Sequence, residues 1–120
     1  PLTGIRPAAE HGNSLREPDV VWSAFLPTPP HPEYPSAHSA IQAAASRVLT
    51  AYFGPSHPFE TTSRGVPGVT RRFESFDAFA KEGGESGILA GVHFRTSVDH
   101  GRTMGERIAE WVLEHCLRPK

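Results

Sequence analysis

Two short segments of this 120-residue chain carry residue types that could do chemistry on an anion. The first is Ser36-Ala37-His38, which directly follows a proline-rich run. If a helix begins there, its unpaired backbone N–H groups and partial positive charge attract an oxyanion such as phosphate. Ser36 would add a hydroxyl donor, Ala37 would let the anion approach its N–H, and His38 would supply an acid or base. The alternative is an ordinary capping serine followed by a surface histidine.

The second segment centres on His93, which follows Leu89 and Val92 on one apolar helical face. A histidine at the edge of such a face can point into a pocket and act as a nucleophile or a ligand. The alternative is a structural histidine whose neighbours satisfy its hydrogen bonds. No two of the seven histidines lie four residues apart, so no helical zinc pair is predicted. Ser36 also lacks the strand–turn–helix context of a hydrolase nucleophile.

The chain before Ser36 is expected to be extended. Residues 1–35 are rich in proline, which removes backbone donors and biases the preceding residue away from the helix. We expect this segment to be pinned across a surface by apolar side chains, namely Val20, Val21, Trp22, Phe25 and Leu26. From Ser36 onward the pattern changes. A good N-cap, apolar residues at helical spacing and a stop at Gly54 predict a helix over about 37–53.

After this helix we expect a short extended region and two more helices. Turn-forming residues predict a turn between short extended stretches near 60–73. Ser75 can cap a second helix, which Gly83-Gly84 would interrupt or kink before the apolar stripe resumes up to His93. A last helix over about 98–117 is predicted from one apolar face that would also bury the cysteine thiol; this face comprises Met104, Ile108, Trp111, Val112 and Cys116.

Composition narrows the class of protein. Lysine and arginine number 12 against 13 acidic residues, and a net charge of −1 does not favour general nucleic-acid binding. No stretch approaches the roughly 20 apolar residues of a membrane span. A single cysteine excludes an internal disulfide. We expect an all-α chain forming one partial domain over residues 1–120, with an extended segment at 1–35 and a helical core at 36–120. The opening on Pro1 suggests a piece of a longer protein.

Together the two segments resemble the vanadium-dependent haloperoxidase and type 2 phosphatidic-acid phosphatase superfamily. Residues 28–39, TPPHPEYPSAHS, are similar to the motif usually written PSGH. Residues 85–95, ESGILAGVHFR, are similar to the motif usually written SR…GxH. Residues 1–6, PLTGIR, resemble the sequence that follows the final arginine of the first motif. The resemblance spans nearly the whole chain in the family's order, and it is nearest to bacterial and plant relatives of the haloperoxidases.

The resemblance implies an all-helical bundle that holds vanadate in the peroxidases and phosphate in the phosphatases. By position, His93 would bond vanadium directly, or attack phosphorus to form a phosphohistidine. His38 would be the acid or base that protonates the apical oxygen or the leaving group. The Ser36 Oγ and the Ala37 backbone N–H would hold equatorial oxygens of the anion.

The departures from the family pattern bear on activity. Gly87 stands where the third motif has its arginine, so a bidentate guanidinium clamp is missing there. Arg95 matches an ordinary position in the sequences of the relatives, so it is not predicted to replace the missing motif arginine. Ser97 replaces a phosphatase-like carboxylate, and Ala37 replaces the middle glycine of PSGH while keeping its N–H. The first motif's lysine and arginine would precede Pro1. Losing one charge-assisted contact costs about 1.5–3 kcal/mol of binding.

We therefore expect a vanadium haloperoxidase-like protein, in which an oxyanion pocket between His38 and His93 supports peroxide-dependent halide oxidation in the parent protein. One alternative is an acid-phosphatase-like hydrolase working through a phosphohistidine. The other is a degenerate, non-catalytic domain of the same fold, which Gly87 and Ser97 favour. The implied cofactor is vanadate, with phosphate as a ligand in its place.

The implied partners are small molecules: peroxide and a halide, or a phosphoester. No nucleic acid and no membrane span are expected. The upstream part of the same bundle would cover the apolar helix faces over about 37–53 and 98–117, which otherwise favour association. A homo-oligomer is an open alternative, and so is export from the cell.

Overall fold

The computed structural model describes Val21 and residues 23–116. Several predictions fall outside the described residues: the resemblance at residues 1–6, the side chains of Val20 and Trp22, and the helix end at 117. In chain order the elements are helix α1 (Ala37–Phe53), strand β1 (Phe59–Ser63), strand β2 (Val66–Phe73), helix α2 (Phe76–Leu89) and helix α3 (Arg95–His115). They form part of a helical bundle with a small two-stranded sheet, which confirms the predicted all-α class.

Helix α1 begins and ends where the sequence predicts. The Ser36 Oγ accepts a hydrogen bond from the Ser39 N–H at 3.3 Å, which satisfies one of the unpaired donors of the first turn. Gly54 adopts a φ of 87° and donates its N–H to the Thr50 carbonyl at 2.9 Å. Since only glycine enters this region without strain, the helix ends there.

Helix α2 begins after Ser75, whose Oγ accepts from the Ala78 N–H at 3.1 Å. The predicted interruption at Gly83-Gly84 is wrong, because α2 runs unbroken from Phe76 to Leu89. Gly84 instead provides room for packing, since a Cβ there would lie 2.9 Å from the Val98 side chain on α3. Small residues at such points let helices approach closely.

The predicted continuation of the second helix to His93 is also wrong. The chain turns at Gly91, which has a φ of 74°. The N–H groups of Val92 and His93 both donate to the Gly87 carbonyl, at 3.0 and 3.1 Å, and this closes the helix end. Helix α3 then begins at Arg95, three residues earlier than predicted.

The extended excursion near 60–73 is an antiparallel hairpin. Phe59 pairs with Phe73 across β1 and β2, and the register shifts between Thr62 and Ser63. The Phe59 ring stacks on Phe73 and on Phe76, with centroids 5.7 and 5.1 Å apart. Aromatic packing therefore fixes the base of the hairpin to the start of α2.

The core between the helices consists of small residues. Helix α1 packs chiefly on α3 and then on α2. A Cβ on Gly101 would overlap the Ser36 carbonyl oxygen, and a Cβ on Gly105 would overlap that of Ala40. The buried residues at this contact are small apart from one valine: Ser39, Ala40, Ala43 and Ser46 on α1, and Ser97, Val98, Gly101, Gly105 and Ala109 on α3.

The large apolar stripes are not in this core. Small side chains allow the closest approach of two helices, so α1 and α3 meet through them and their bulky residues face outward. Cys116, predicted to be buried, is exposed for the same reason. The exposed bulky residues on these two helices are Ile41, Leu49, Tyr52, Phe53, Met104, Ile108 and Trp111.

The proline-rich segment is attached differently from the prediction. Val21, Phe25 and Leu26 are exposed, so their side chains do not pin it. Instead the Phe25 N–H donates to the Ala90 carbonyl at 3.0 Å. Within the described residues, none of the helices has the length and apolar character needed to cross a membrane.

Candidate functional site

His93 lies in the turn between α2 and α3 with only 6% of its surface exposed. The turn at Gly91 and the hydrogen bond from the His93 N–H to the Gly87 carbonyl orient the chain so that the imidazole is buried. Its Nδ1 lies 3.1 Å from the Glu33 Oε2. A buried imidazole bonded to a carboxylate through one nitrogen can use the other nitrogen as a nucleophile or ligand.

Ser97 connects the proline-rich segment to α3. Its Oγ donates to the Glu33 carbonyl at 2.7 Å, and its own carbonyl accepts from the Ser36 N–H at 3.0 Å. Ser97 and Ser36 are almost completely buried. These contacts hold the start of α1 near His93, so Ser36 and His93 belong to one neighbourhood.

The N-terminus of α1 has the donors that an oxyanion requires. The Ser36 Oγ accepts from the Ser39 N–H, and a hydroxyl that accepts can still donate its proton. Ala37 is the first helical residue and is exposed. No acidic residue lies in the first turn to oppose an anion.

His38 is placed less firmly. It lies exposed on the first turn of α1, and within residues 23–116 no hydrogen bond or ion pair engages its ring. The structure therefore brings His93 towards Ser36 without joining His38 to either of them. The pairing of His38 with His93 stays a prediction.

Position 87 places no positive charge beside the histidine. Gly87 lies directly against the ring, where a Cβ would be 2.9 Å from the His93 Cδ2. Arg95 cannot take its place, because both terminal nitrogens of its guanidinium pair with the Glu85 carboxylate. This pair lowers the pKa of Glu85 and raises that of Arg95, chiefly through the hydrogen bonds between them.

The donor set fits an oxyanion in shape and only partly in charge. An imidazole, a hydroxyl and helical N–H groups are kinds of group that would hold the oxygens of such an anion. In the part of the chain that is described, no group of three or more histidine, cysteine, aspartate or glutamate residues could hold a metal cation. Vanadate would need further cations to balance its charge, and Gly87 supplies none.

Two cavities lined by described residues differ from this site in character. One of about 390 Å³ lies among the three helices, and the Arg102 guanidinium on its wall pairs with Asp77 and Glu106. Hydrogen bonding to Glu106 raises the pKa of Arg102, so this charge is already compensated. The other, about 630 Å³ and open to solvent, is lined by residues 28–34, including Glu33.

Sequence analysis missed two residues of the site. Glu33 was only part of a motif, because nothing in its spacing shows that it folds back onto a histidine 60 positions later. Ser97 stands where the motif comparison predicts a lost carboxylate, and in the structure it fixes the segment that provides one. The available signal for Glu33 is its short sequence separation from the N-cap Ser36, which keeps the two residues close in space.

The chain is similar to one family model and to several solved structures. A family model described as the VCPO second helical-bundle domain matches residues 4–119. No curated protein sequence matches the chain significantly. Among solved structures, a bacterial vanadium-dependent iodoperoxidase superimposes with a TM-score of 0.73 and 36% identity, covering 78% of this chain and 23% of its own.

Two further structures are similar. The holo and apo forms of a bacterial vanadium-dependent chloroperoxidase superimpose with a TM-score of 0.62 each, at 26% and 27% identity. Both comparisons cover 78% of this chain and 23% of the chloroperoxidase. The chain thus spans less than a quarter of the length of the peroxidases that it resembles.

Proposed function

Because the chain belongs to the vanadium-dependent haloperoxidase family, matching its second helical-bundle domain over residues 4–119, we propose that it forms part of a vanadate pocket. This pocket would support peroxide-dependent oxidation of a halide in the protein that carries the chain. The observation that carries the proposal is the buried His93, bonded to Glu33 through Nδ1 and tied through Ser97 to the N-terminus of α1.

Each residue has a role that follows from its position. The His93 Nε2 keeps a lone pair for bonding to the metal centre, since Nδ1 is occupied by the carboxylate. The Ser36 hydroxyl and the Ala37 N–H would hold oxygens of the anion. His38, exposed on the first turn of α1, would exchange protons with an oxygen of the anion or with solvent. Vanadate, when bound, would supply a Lewis acid that activates peroxide for transfer of oxygen to halide.

The same residues would serve phosphate chemistry. A His93 that attacks phosphorus and a His38 that protonates the leaving group describe a phosphatase equally well. Phosphate and vanadate are both oxyanions, so neither the helix N-terminus nor the imidazole distinguishes between the two reactions. The similarity to an iodoperoxidase and a chloroperoxidase favours oxidation.

A non-catalytic domain is the second candidate, and Gly87 favours it. The position against the His93 ring is the place from which a guanidinium would reach a bound anion, and glycine offers no charge there. Under this alternative, the fold and the buried histidine persist while the anion no longer binds. The rest of the bundle, packed on the exposed faces of α1 and α3, is proposed as the partner in both cases.

The reaction class is tested by two assays on the full chain. One adds peroxide and iodide, bromide or chloride to vanadate-loaded chain, and the other adds a phosphomonoester to vanadate-free chain. Halide oxidation that disappears in His93→Ala supports the peroxidase, and hydrolysis that disappears in the same variant supports the phosphatase. Absence of both from a chain with native helical circular dichroism, persisting when the rest of the bundle is added, supports the non-catalytic domain. We expect slow halide oxidation, because Gly87 provides no cation.

A further inference from the structure

Glu33 and His93 form a contact unlike the other ion pairs of the described residues. The side chains of Glu33 and His93 are 17% and 4% exposed, whereas those of the other described pairs are 39–78% exposed. A carboxylate turned away from solvent towards one ring nitrogen loses much of its hydration. Such an arrangement persists only where the hydrogen bond compensates for that loss.

The backbone of Glu33 is held independently of its side chain. The Ser97 Oγ donates to the Glu33 carbonyl at 2.7 Å, and the neighbouring Tyr34 hydroxyl lies 2.8 Å from the His100 Nδ1 one turn further along α3. The Ser36 N–H completes the attachment by donating to the Ser97 carbonyl. Three successive contacts therefore fix residues 33–36 on the first turns of α3, and with them the direction of the Glu33 carboxylate.

The chemistry of the pair determines where the imidazole proton lies. An ionised carboxylate can only accept, so the proton between Glu33 and His93 must be on Nδ1. A neutral imidazole then has an unprotonated Nε2 with its lone pair available. Free histidine favours the opposite tautomer only slightly, so one well-directed hydrogen bond is enough to reverse it.

We infer that Glu33 is a positioning residue, which holds His93 in the Nδ1–H tautomer and directs its Nε2 outward as a ligand or nucleophile. Ser97 positions Glu33 in turn, so the proline-rich segment provides the carboxylate that position 97 itself does not. The inference rests on the proposed function for its purpose, because a fixed tautomer matters only if Nε2 bonds to an anion. Its geometry is independent of that function.

The test is nitrogen NMR of the full chain labelled with ¹⁵N-histidine, at a pH where the imidazoles are neutral. The expected wild-type spectrum has the His93 proton on Nδ1. Glu33→Ala should shift most of the His93 population to the Nε2–H form, whereas Glu33→Gln, whose amide oxygen can still accept, should keep the wild-type tautomer. Ser97→Ala should give a mixture, because Glu33 is held less firmly. The exposed Glu60→Ala is the matched control, and the other six histidines are internal references.

Two results would overturn the inference: a wild-type His93 protonated on Nε2, or a folded Glu33→Ala with an unchanged tautomer. If Glu33→Ala fails to fold, a wild-type His93 protonated on Nε2 still overturns the inference, and Glu33→Gln and Ser97→Ala still test the role of Glu33. Vanadate titration separates this inference from the proposed function, since Glu33→Ala should weaken vanadate binding by roughly 10- to 100-fold. A correct tautomer in a chain that binds no vanadate would reject the function and leave the positioning role. Equal vanadate binding by wild type and Glu33→Ala would reject the positioning role instead.

Discussion

Gly87 lies against the imidazole of His93 so closely that a Cβ at position 87 would be 2.9 Å from the ring's Cδ2. The ring cannot easily yield, because it is buried and bonded to Glu33 on its other side. Position 87 thus determines the space available to the histidine and, under the proposed function, the charge available to a bound anion. Any side chain at position 87 therefore crowds the His93 ring, whatever charge that side chain carries.

Substitutions at Gly87 separate these two effects. Gly87→Ala and Gly87→Arg both add a Cβ against His93, but only arginine adds a guanidinium. We expect Gly87→Arg to bind vanadate roughly tenfold or more tightly than Gly87→Ala, since a charge-assisted hydrogen bond contributes about 1.5–3 kcal/mol. Isothermal titration of both variants measures this ratio. Equal affinities would mean that position 87 does not face the bound anion.

The contact between α1 and α3 predicts a large effect of a small substitution. Gly105→Ala should lower the free energy of unfolding by about 1–3 kcal/mol, although alanine has the higher helix propensity, because its Cβ would overlap the Ala40 carbonyl oxygen. Urea unfolding followed by circular dichroism measures the change. Gly65→Ala is the control, since its Cβ would make only an ordinary contact at 3.6 Å with the Ser63 Oγ. Similar losses in both variants would contradict the close packing.

Burial on α3 separates two apolar residues, Val98 and Ile108, of which the sequence pattern singles out only Ile108. Val98 is 6% exposed, so Val98→Ala should destabilise the chain by about 2 kcal/mol, at roughly 0.8 kcal/mol for each buried carbon removed plus a cavity term. Ile108 is 51% exposed, and Ile108→Ala should cost much less. The same urea experiment compares them. A greater loss for Ile108→Ala would show that the outward face of α3 is covered in solution.

The Arg95–Glu85 pair predicts a pH dependence of stability. The pKa of Glu85 lies below its ordinary value of 4.5 in the folded chain because Arg95 donates hydrogen bonds to the carboxylate. The pair therefore contributes stability above the unfolded pKa, and the contribution is lost as the pH falls through the folded value. Both side chains are partly exposed to solvent, so the effect is small.

The corresponding measurement compares wild type with Glu85→Gln. Their difference in unfolding free energy should be present at neutral pH and should disappear as the pH falls through the lowered folded pKa of Glu85, below which the wild-type carboxyl is protonated as well. The difference should also vanish at neutral pH when Arg95→Gln is added to both. A difference that stays constant between neutral and acid pH would assign the effect to something other than this pair.

The sequence predicts local structure correctly where a single residue determines where a helix begins or ends. Ser36, Gly54 and Ser75 begin or end helices through their own side chains or φ angles, so their roles follow from residue type. Gly83-Gly84 was misjudged because a glycine pair can either break a helix or admit a neighbouring one, and only the position of α3 decides which.

The apolar stripes were misjudged for a related reason. Bulky residues at helical spacing, such as Ile108 and Trp111, identify a face that favours burial but not the partner that buries it. The Glu33–His93 contact joins residues 60 positions apart, so no local pattern predicts it. Family resemblance predicts roles for His93 and Ser36, and these stay predictions, whereas the carboxylate behind His93 is seen only in the three-dimensional structure.

The central claim is that His93 is the residue at which this domain binds an oxyanion. Its most direct test is calorimetric titration of the full chain with orthovanadate, using phosphate as a competitor. We predict saturable binding of one vanadate per chain that phosphate displaces, that His93→Ala abolishes, and that His115→Ala, an exposed histidine at the far end of α3, leaves unchanged. The same heat from wild type and His93→Ala, or no heat from a chain whose helices are intact, would contradict the claim.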